Sequence, residues 1–339
     1  MAWNKEMPKN PVVAVCGATG AVGAEMLNVL EQRNFPASKI VPMASYRSAG
    51  KLLDFAGEKL EVQEMTHDSF DGIDIALFSA GASVSKDMRE HVVKAGAVMI
   101  DNSSAFRMEP GVPLVVPEVN PDDALKHNGV IANPNCSTIE MVVALKPLHE
   151  LGTIKRVVVS TYQAASGAGV KAMNELFEQS RQFLDGEELT INAFAHQIAF
   201  NTIPHIDVFL DDDYTKEEWK MVAETKKIMG DDSIAVAPTC VRVPVLRCHA
   251  ESLNIEFADD VSVEDARAAL EAAPGVTVMD DPAENLYPMP GLLAHTDDVY
   301  VGRLRKDPTV EHGIALWLVM DQIRKGAALN AVQIAEMLI

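Results

Sequence analysis

Short apolar runs alternate with amphipathic stretches through the first part of the chain. Residues 12–15, 40–44, 74–79 and 98–101 have the length and composition of buried strands. Residues 25–30 follow the first run with the spacing of an apolar helix face. This alternation is typical of a parallel, doubly wound sheet. The pattern therefore predicts a Rossmann-type α/β domain, with a boundary near Asn133.

The pattern changes after that boundary. A short strand at residues 130–132 leads into a helical stretch at 139–151, and longer strands follow. The alternation favours a mixed sheet. We therefore predict a second, α+β domain over residues 134–320 and a C-terminal helical segment over 321–339. The predicted strands of the second domain include residues 157–161, 253–257 and 299–304.

Length and charge narrow the function. A chain of 339 residues is too long for one comfortable core, so two domains are expected. Its hydrophobic content of 48% is ample for burial. A formal net charge of -20 repels nucleic acid and anionic lipid. The expected partner is a small molecule, and an anionic one needs a local basic pocket.

Location and metal content are also constrained. No apolar run approaches the roughly 20 residues that span a bilayer, and residues 1–10 lack a signal-peptide core. Cys16, Cys136, Cys240 and Cys248 lie far apart, as neither a disulfide framework nor a zinc motif. We expect a cytoplasmic protein without a metal site.

A glycine-rich turn follows the first strand. Gly17, Gly20 and Gly23 have the spacing G-x-x-G-x-x-G between a strand and a helix. That context favours a dinucleotide pyrophosphate at the helix N-terminus, although an ordinary turn is the alternative. The predicted cofactor-binding residues here are Gly17, Thr19, Gly20, Ala21 and Val22.

The loop after the second strand indicates which dinucleotide binds. An NAD enzyme places an acid there for the ribose hydroxyls, but in this chain the loop that begins at Ser45 has no acid before Asp54. Arg47 and Ser48 offer a charge and a hydroxyl to a 2′-phosphate instead. NADP is therefore the predicted cofactor, and a solvated basic loop is the alternative.

Cys136 is the candidate nucleophile. It follows Asn133-Pro134-Asn135 at a strand-to-helix junction. A helix N-terminus lowers a thiol pKa and offers N–H groups to an oxyanion. Cys16, inside the first strand, has instead the environment of an inert core cysteine.

Six ordered motifs now point to one family. The chain resembles aspartate-semialdehyde dehydrogenase from about Val12 to its C-terminus in residues 17–23, 101–107, 133–138, 162–169, 242–249 and 324–330. The resemblance implies an NADP-binding domain over 1–133 and, over 134–320, a catalytic and dimerisation domain like that of glyceraldehyde-3-phosphate dehydrogenase. It also implies that the C-terminal segment returns to the NADP-binding domain, in a homodimer or homotetramer.

The implied reaction is reduction of β-aspartyl phosphate by NADPH to aspartate β-semialdehyde and phosphate. It belongs to the biosynthesis of lysine and diaminopimelate, methionine, threonine and isoleucine. Cys136 matches the family nucleophile, and a thioester remains a competent hydride acceptor. His249 matches the acid/base residue, and Gln163 the residue that positions the acyl group.

Further matches concern the substrate. Arg242 matches the clamp on the substrate carboxylate, where a guanidinium forms two parallel bonds. Glu217 matches a contact with the substrate amino group, although Glu218 fits a shifted alignment and a surface ion pair with Lys220 is another reading. The phosphate-binding matches are Arg107, Lys220 and the donor-rich stretch that begins at Asn102. The matches near the nicotinamide are Ser166, Gly167 and Gln322.

Two other functions remain open. An N-acetylglutamyl-phosphate reductase has the same fold and a cysteine, but it does not need the substrate pattern of Arg242 and Glu217. A catalytically silent cofactor-binding regulator would lack some of Cys136, His249, Arg242 and Gln163, and this chain has all four.

Overall fold

A computed structural model describes residues 6–339 as two compact units. The first unit comprises residues 6–135 and 326–339, and the second comprises Cys136–Lys325. No helix of the described chain combines the length and the apolar composition that crossing a membrane requires.

The first unit is built on a six-stranded sheet. Its strands β1 to β8 are Val12–Cys16, Lys39–Ala44, Leu52–Phe55, Glu58–Glu61, Gln63–Glu64, Ile75–Phe78, Val98–Asp101 and Val130–Ala132. The sheet has the order β5-β2-β1-β6-β7-β8 and every pairing in it is parallel. Strands β3 and β4 form a separate antiparallel ribbon. The strand order reverses between β1 and β6, which is where doubly wound sheets bind ligands.

Helices cover this sheet. The helices of the first unit are α1 (Ala21–Gln32), α2 (Ala82–Lys94) and, at the C-terminus, α8 (Leu329–Glu336). Helices α1 and α8 contribute apolar side chains to one buried core with β1, β6 and β7. Arg33 and Glu336 add an ion pair at 2.7 Å. The last helix therefore belongs to the same core as the first strand.

Pro42 lies inside β2 despite its missing N–H. Strand β5 is short and pairs only with Met43 and Ala44, so one edge of β2 has no partner at Pro42. A proline is tolerated at such an edge.

The second unit contains a mixed sheet and a helical layer. Its strands β9 to β14 are Ile154–Gln163, Ala235–Arg242, His249–Phe257, Val276–Val278, Val299–Lys306 and Gly313–Met320. Its helices α3 to α7 are Cys136–Leu151, Val170–Asp185, Lys216–Met229, Val263–Ala272 and Pro290–Leu293. The strand order is β10-β9-β11-β14-β13-β12, with β9 and β10 parallel and β11 antiparallel to β9 and β14.

Helices α3, α5 and α6 pack on one face of the mixed sheet. Along β11 the buried residues His249, Glu251 and Leu253 alternate with residues of the other face, where Tyr162 and Trp317 contact each other. The fold class predicted from the sequence is confirmed. The sequence pattern gave no indication of the ribbon β3–β4 or of helix α4.

Candidate active site

Cys136 is the first residue of α3 and is partly exposed. The other cysteines, Cys16, Cys240 and Cys248, are buried, and burial raises the pKa of each of their thiols. Cys136 therefore differs from them in both position and accessibility. A thiol at a helix N-terminus is favoured in the thiolate form, which is the nucleophilic one.

Two parallel strands bring the substrate-site residues together. Gln163 ends β9, Arg242 ends β10, and the two residues are paired in register. The backbone N–H and carbonyl of Ala164, which follows Gln163, then hold two side chains. The N–H of Ala164 donates to Nδ1 of His249 at 3.1 Å, and a guanidinium nitrogen of Arg242 donates to the Ala164 carbonyl at 2.6 Å. Because both contacts use the backbone, no side-chain motif signals the role of Ala164.

The hydrogen bond to Nδ1 fixes the protonation state of His249. A nitrogen that accepts an N–H cannot carry a proton, so the neutral ring is protonated on Nε2. Burial, with the nearby charge of Arg242, lowers the pKa of His249 well below its ordinary value. Nε2 is buried and has no hydrogen-bond partner among residues 6–339. His249 is therefore a neutral ring whose Nε2–H is available to a reacting group.

Arg242 is the cation of this site. Burial lowers the pKa of its guanidinium, while the negative charges of Glu217 and the Cys136 thiolate oppose that shift. A guanidinium stays protonated under such conditions. Glu217 and Cys136 therefore lie within reach of the Arg242 charge, and Arg242 can stabilise a thiolate at Cys136.

Glu217 is the acidic residue of the predicted substrate site. It is buried on α5 and accepts from Nε2 of Gln163 at 3.3 Å and from Nζ of Lys220 at 3.0 Å. Glu218 has a different task, because its carboxylate accepts the Thr215 N–H at 2.7 Å in a capping box and the Cys240 N–H at 3.0 Å. The structure thus places Glu217, and not Glu218, beside Gln163.

Lys220 lies between two carboxylates. Its ammonium contacts Glu217 and also Asp207, at 2.7 Å. Burial lowers the pKa of Lys220, but the two acids outweigh this and raise it. The pair with Glu217 is largely buried, so the reading as a solvated surface pair is wrong. Asp207 lies in a segment without regular periodicity, so no sequence pattern indicates its role.

The predicted nicotinamide-side residues adjoin His249. Gln322 donates to the Ser166 hydroxyl and accepts the N–H of Cys248 at 2.9 Å. A Cβ on Gly167 would lie 2.9 Å from both the Arg242 guanidinium and the His249 ring. The absence of a side chain at Gly167 is therefore what allows these two groups to pack against the backbone.

The turn before His249 is held from a neighbouring segment. Cys248 has a φ of 73°, which is a left-handed conformation uncommon for a residue other than glycine. Arg247 donates to the buried Asp321 at 2.6 Å, and the Cys248 N–H donates to Gln322. Arg247 and Asp321 are supporting residues that sequence reasoning missed.

The first unit contains the predicted dinucleotide turn. Gly17 has a φ of 88°, and a Cβ there would lie 2.4 Å from the Ser79 carbonyl oxygen. The N-cap of α1 is Gly20, which has no side chain that could cap the helix N–H groups, and the first turn of α1 has no acidic residue. The N–H groups of Ala21 and Val22 therefore lie at a helix N-terminus suited to an anion.

The loop after β2 has the predicted charge and hydroxyl. Arg47 is exposed on a short 3-10 turn, Tyr46–Ser48. The Ser48 hydroxyl lies 3.4 Å from that of Thr19 and accepts from Nζ of Lys51 at 3.3 Å. Two hydroxyls and an ammonium thus lie together beside the glycine turn, and Lys51 joins the residues predicted from sequence.

Arg107 is buried in the first unit. Its guanidinium donates to the carbonyl oxygens of Asn133 and Asn102, each at 3.0 Å. The side chain of Asn133 donates to that of Asn102 at 2.6 Å and accepts from that of Asn330 at the same distance. The predicted phosphate residues Arg107 and Asn102 are therefore neighbours, and backbone contacts fix the guanidinium.

Comparisons with known proteins identify the family. The chain matches two family models: the semialdehyde dehydrogenase NAD binding domain over residues 12–127 and the semialdehyde dehydrogenase dimerisation domain over residues 145–325. An aspartate-semialdehyde dehydrogenase of Aquifex aeolicus is 56% identical over 331 residues, which cover 96% of this chain and 97% of the relative.

Solved structures agree. The aspartate semialdehyde dehydrogenase II of Vibrio cholerae, complexed with ASA, is 46% identical with a TM-score of 0.95 and covers 98% of each chain. The Candida albicans aspartate semialdehyde dehydrogenase with NADP is 27% identical with a TM-score of 0.75, and the match covers 97% of this chain and 98% of that one. The chain belongs to the aspartate-semialdehyde dehydrogenase family.

Proposed function

We propose that this protein reduces β-aspartyl phosphate to aspartate β-semialdehyde with NADPH, through a thioester on Cys136. The observation that carries the proposal is the arrangement of three groups in the second unit. A partly exposed cysteine begins α3, within reach of the charge of a buried arginine, and Ala164 holds both that arginine, through its carbonyl, and a buried neutral histidine, through its N–H. The pathway role follows the family: synthesis of lysine, methionine, threonine and isoleucine.

The proposed chemistry uses each of these groups in turn. The Cys136 thiolate attacks the acyl carbon and phosphate leaves, which gives a thioester. NADPH supplies hydride to the thioester carbonyl. His249 donates from Nε2 to the developing oxyanion, because its Nδ1 is already occupied by the Ala164 N–H. Collapse then releases the aldehyde and restores the thiolate.

Recognition of the substrate is assigned to charged groups that are already paired in the site. Arg242 clamps the α-carboxylate, and Glu217 binds the α-ammonium. These two groups match a free amino acid, whereas an N-acetylated substrate has no ammonium for Glu217. The buried position of Glu217 beside Gln163 supports aspartyl phosphate over N-acetylglutamyl phosphate.

The decisive assay runs in reverse. Purified protein is supplied with aspartate semialdehyde, phosphate and NADP, and formation of NADPH is followed by its absorbance. We expect reduction of NADP that depends on phosphate and on the semialdehyde. A protein that instead accepts only N-acetylglutamate semialdehyde, or that binds NADP without turnover, would contradict the proposal.

The NADP preference is assigned to Arg47, Ser48 and Lys51, and the glycine turn with Ala21 and Val22 to the pyrophosphate. We expect Arg47→Ala to lower kcat/KM for NADP about tenfold, on the scale of one charged hydrogen bond, while the value for NAD barely changes. The NADP preference should shrink at high salt because Arg47 is exposed. Steady-state kinetics with both cofactors measures this.

The matched control is Lys59→Ala, another exposed cation of the same unit, which pairs with Asp54. It should leave both cofactors unaffected. Equal losses for NADP and NAD in Arg47→Ala would place the selectivity elsewhere.

Phosphate binding is assigned to Arg107, Lys220 and Asn102. We expect Arg107→Ala and Lys220→Ala to raise the apparent KM for phosphate in the reverse assay about tenfold or more, the scale of a lost charged bond. The KM for the semialdehyde should change less. Asp207→Asn serves as a comparison, because it weakens the hold on Lys220 and removes no cation. An unchanged KM for phosphate in both alanine variants would contradict this assignment.

Assembly and location are also proposals. The matched dimerisation domain supports a homodimer, and a homotetramer is the alternative that sedimentation distinguishes. A catalytic thiol and three further thiols outside disulfides suit a reducing cytoplasm.

A further inference from the structure

Two buried glutamates of the second unit have no part in the chemistry above. Glu140 lies four residues after Cys136 on α3, and Glu251 lies two residues after His249 on β11. Both are 0% exposed. These spacings place each glutamate on the same face of its element as its catalytic neighbour.

Helix α3 packs against β11. Burial first, and then the charges of Glu140 and Glu217, oppose ionisation of Glu251 and raise its pKa. The surrounding elements add more acids and thiols, and the charged residues of β9, Lys155 and Arg156, are exposed. The titratable groups that interact with the pair through their charges are Glu217 on α5, Cys240 on β10 and Cys248 before β11, and His249 lies on the same face of β11 as Glu251.

Neither carboxyl group has a conventional partner. None of the four oxygens of Glu140 and Glu251 meets a hydrogen-bond donor within residues 6–339. Two buried, unpaired carboxylates that repel each other are very costly. One proton removes most of that cost, because it turns one carboxyl group into an O–H donor and leaves the other as its acceptor.

We propose that Glu140 and Glu251 share a proton in the working enzyme, and that the resulting hydrogen bond links the helix that begins at Cys136 to the strand that begins at His249. Burial supports this, since it raises the pKa of each carboxyl group well above its ordinary value. The two glutamates are positioning residues. This inference rests on the proposed catalytic roles of Cys136 and His249.

The proton itself is tested without any activity. Infrared spectra near neutral pH are compared for the wild type and the double variant Glu140→Gln/Glu251→Gln. We expect the C=O band of a protonated carboxylic acid in the wild type, its loss in the double variant, and its retention in Glu256→Gln, a control on the other face of β11. If the wild-type spectrum has no carboxylic acid band that the double variant lacks, the proposal is overturned.

Stability against pH gives a second readout. A carboxyl group whose pKa in the folded state is above its unfolded value of 4.5 stays protonated to a higher pH in the folded state. The wild type should therefore lose stability, relative to the double variant, as pH rises from about 5 towards the folded pKa, by up to about tenfold in the unfolding equilibrium per pH unit and proton. Urea unfolding at several pH values measures this, and parallel curves would contradict a retained proton.

Kinetics test the link. An amide N–H can replace the shared proton, so Glu140→Gln and Glu251→Gln should keep kcat within about threefold, whereas Glu251→Leu breaks the link and should lower kcat about tenfold with a smaller change in KM. If Gln is as damaging as Leu, an ionised carboxylate is required and the shared proton is wrong. If Leu is as active as the wild type, the link has no positioning role. Should Glu251→Leu not fold, the glutamine variants and the infrared band still decide.

Discussion

Replacement of Cys136 by serine should reduce turnover at least a hundredfold while the fold is retained, because a hydroxyl at a helix N-terminus remains protonated where a thiol ionises. The serine retains the size and the position of the nucleophile at the start of α3. What it loses is a group that can ionise within reach of the Arg242 charge. The measurement is kcat in the reverse assay, together with circular dichroism and NADP binding to verify the fold.

The matched control is Cys16→Ser, the same chemical change inside β1. Burial raises the pKa of the Cys16 thiol, so this residue contributes no thiolate. We expect Cys16→Ser to affect stability and to leave kcat of the folded protein nearly unchanged. A Cys136→Ser protein that keeps a tenth of the wild-type activity would exclude a thioester on this residue.

The covalent step can also be observed directly. Aspartate semialdehyde and NADP without phosphate should leave an acyl group on Cys136, since the thioester then lacks its nucleophile. Mass spectrometry of the intact protein should detect that adduct in the wild type and in Cys16→Ser, and none in Cys136→Ser.

The sequence predicts best where a single periodicity determines the structure. The strands of the first unit are nearly continuous apolar runs because a parallel sheet is buried on both faces, and runs of that kind leave few alternatives. The turn at Gly17 was equally clear, because a Cβ there collides with the Ser79 carbonyl and only glycine fits. The ribbon β3–β4 was missed because its residues alternate weakly and are mostly exposed.

Adjacent residues on one helix illustrate a limit of sequence reasoning. Glu217 and Glu218 are both acids in the first turn of α5, and composition does not distinguish them. The difference arises from the entry of the chain into the helix, since the Thr215 N–H and the Cys240 N–H occupy Glu218. Glu217 is thereby left to contact Gln163.

Backbone groups set another limit. The backbone N–H and carbonyl of Ala164 position both His249 and Arg242, yet an alanine carries no side-chain chemistry that a sequence pattern reveals. Glu140 was visible in principle, as an acid within the apolar run of α3. Its relation to Glu251 depends on the packing of a helix on a strand more than 100 residues away, which local periodicity does not specify.

The second large effect is expected at Arg242. Its replacement by alanine should lower kcat/KM for aspartate semialdehyde by a hundredfold or more, on the order of the 3 kcal/mol that a charge-assisted contact contributes. The loss has two parts. The substrate carboxylate loses its clamp, and the Ala164 carbonyl loses its bond to the guanidinium. The charge of Glu217 is then balanced by Lys220 without Arg242.

Arg242→Lys separates charge from geometry. Lysine retains the cation but cannot form two parallel bonds to a carboxylate, so we expect roughly a tenfold loss, between the wild type and Arg242→Ala. Phosphate should bind to both variants with an apparent KM within about threefold of the wild type, because its assigned cations, Arg107 and Lys220, are unchanged. Arg156→Ala removes an exposed arginine from β9 of the same sheet and serves as the control.

The comparison of substrates decides between the two roles of Arg242. A carboxylate clamp acts on the semialdehyde and not on phosphate, so the ratio of the two KM values must change in Arg242→Ala. If Arg242 only supports the backbone of Ala164, its removal displaces His249 and lowers kcat for every substrate without changing that ratio. If Arg242→Ala and Arg107→Ala raise both KM values equally, carboxylate and phosphate recognition are not divided between these residues, and the assignment of Arg242 to the carboxylate is wrong.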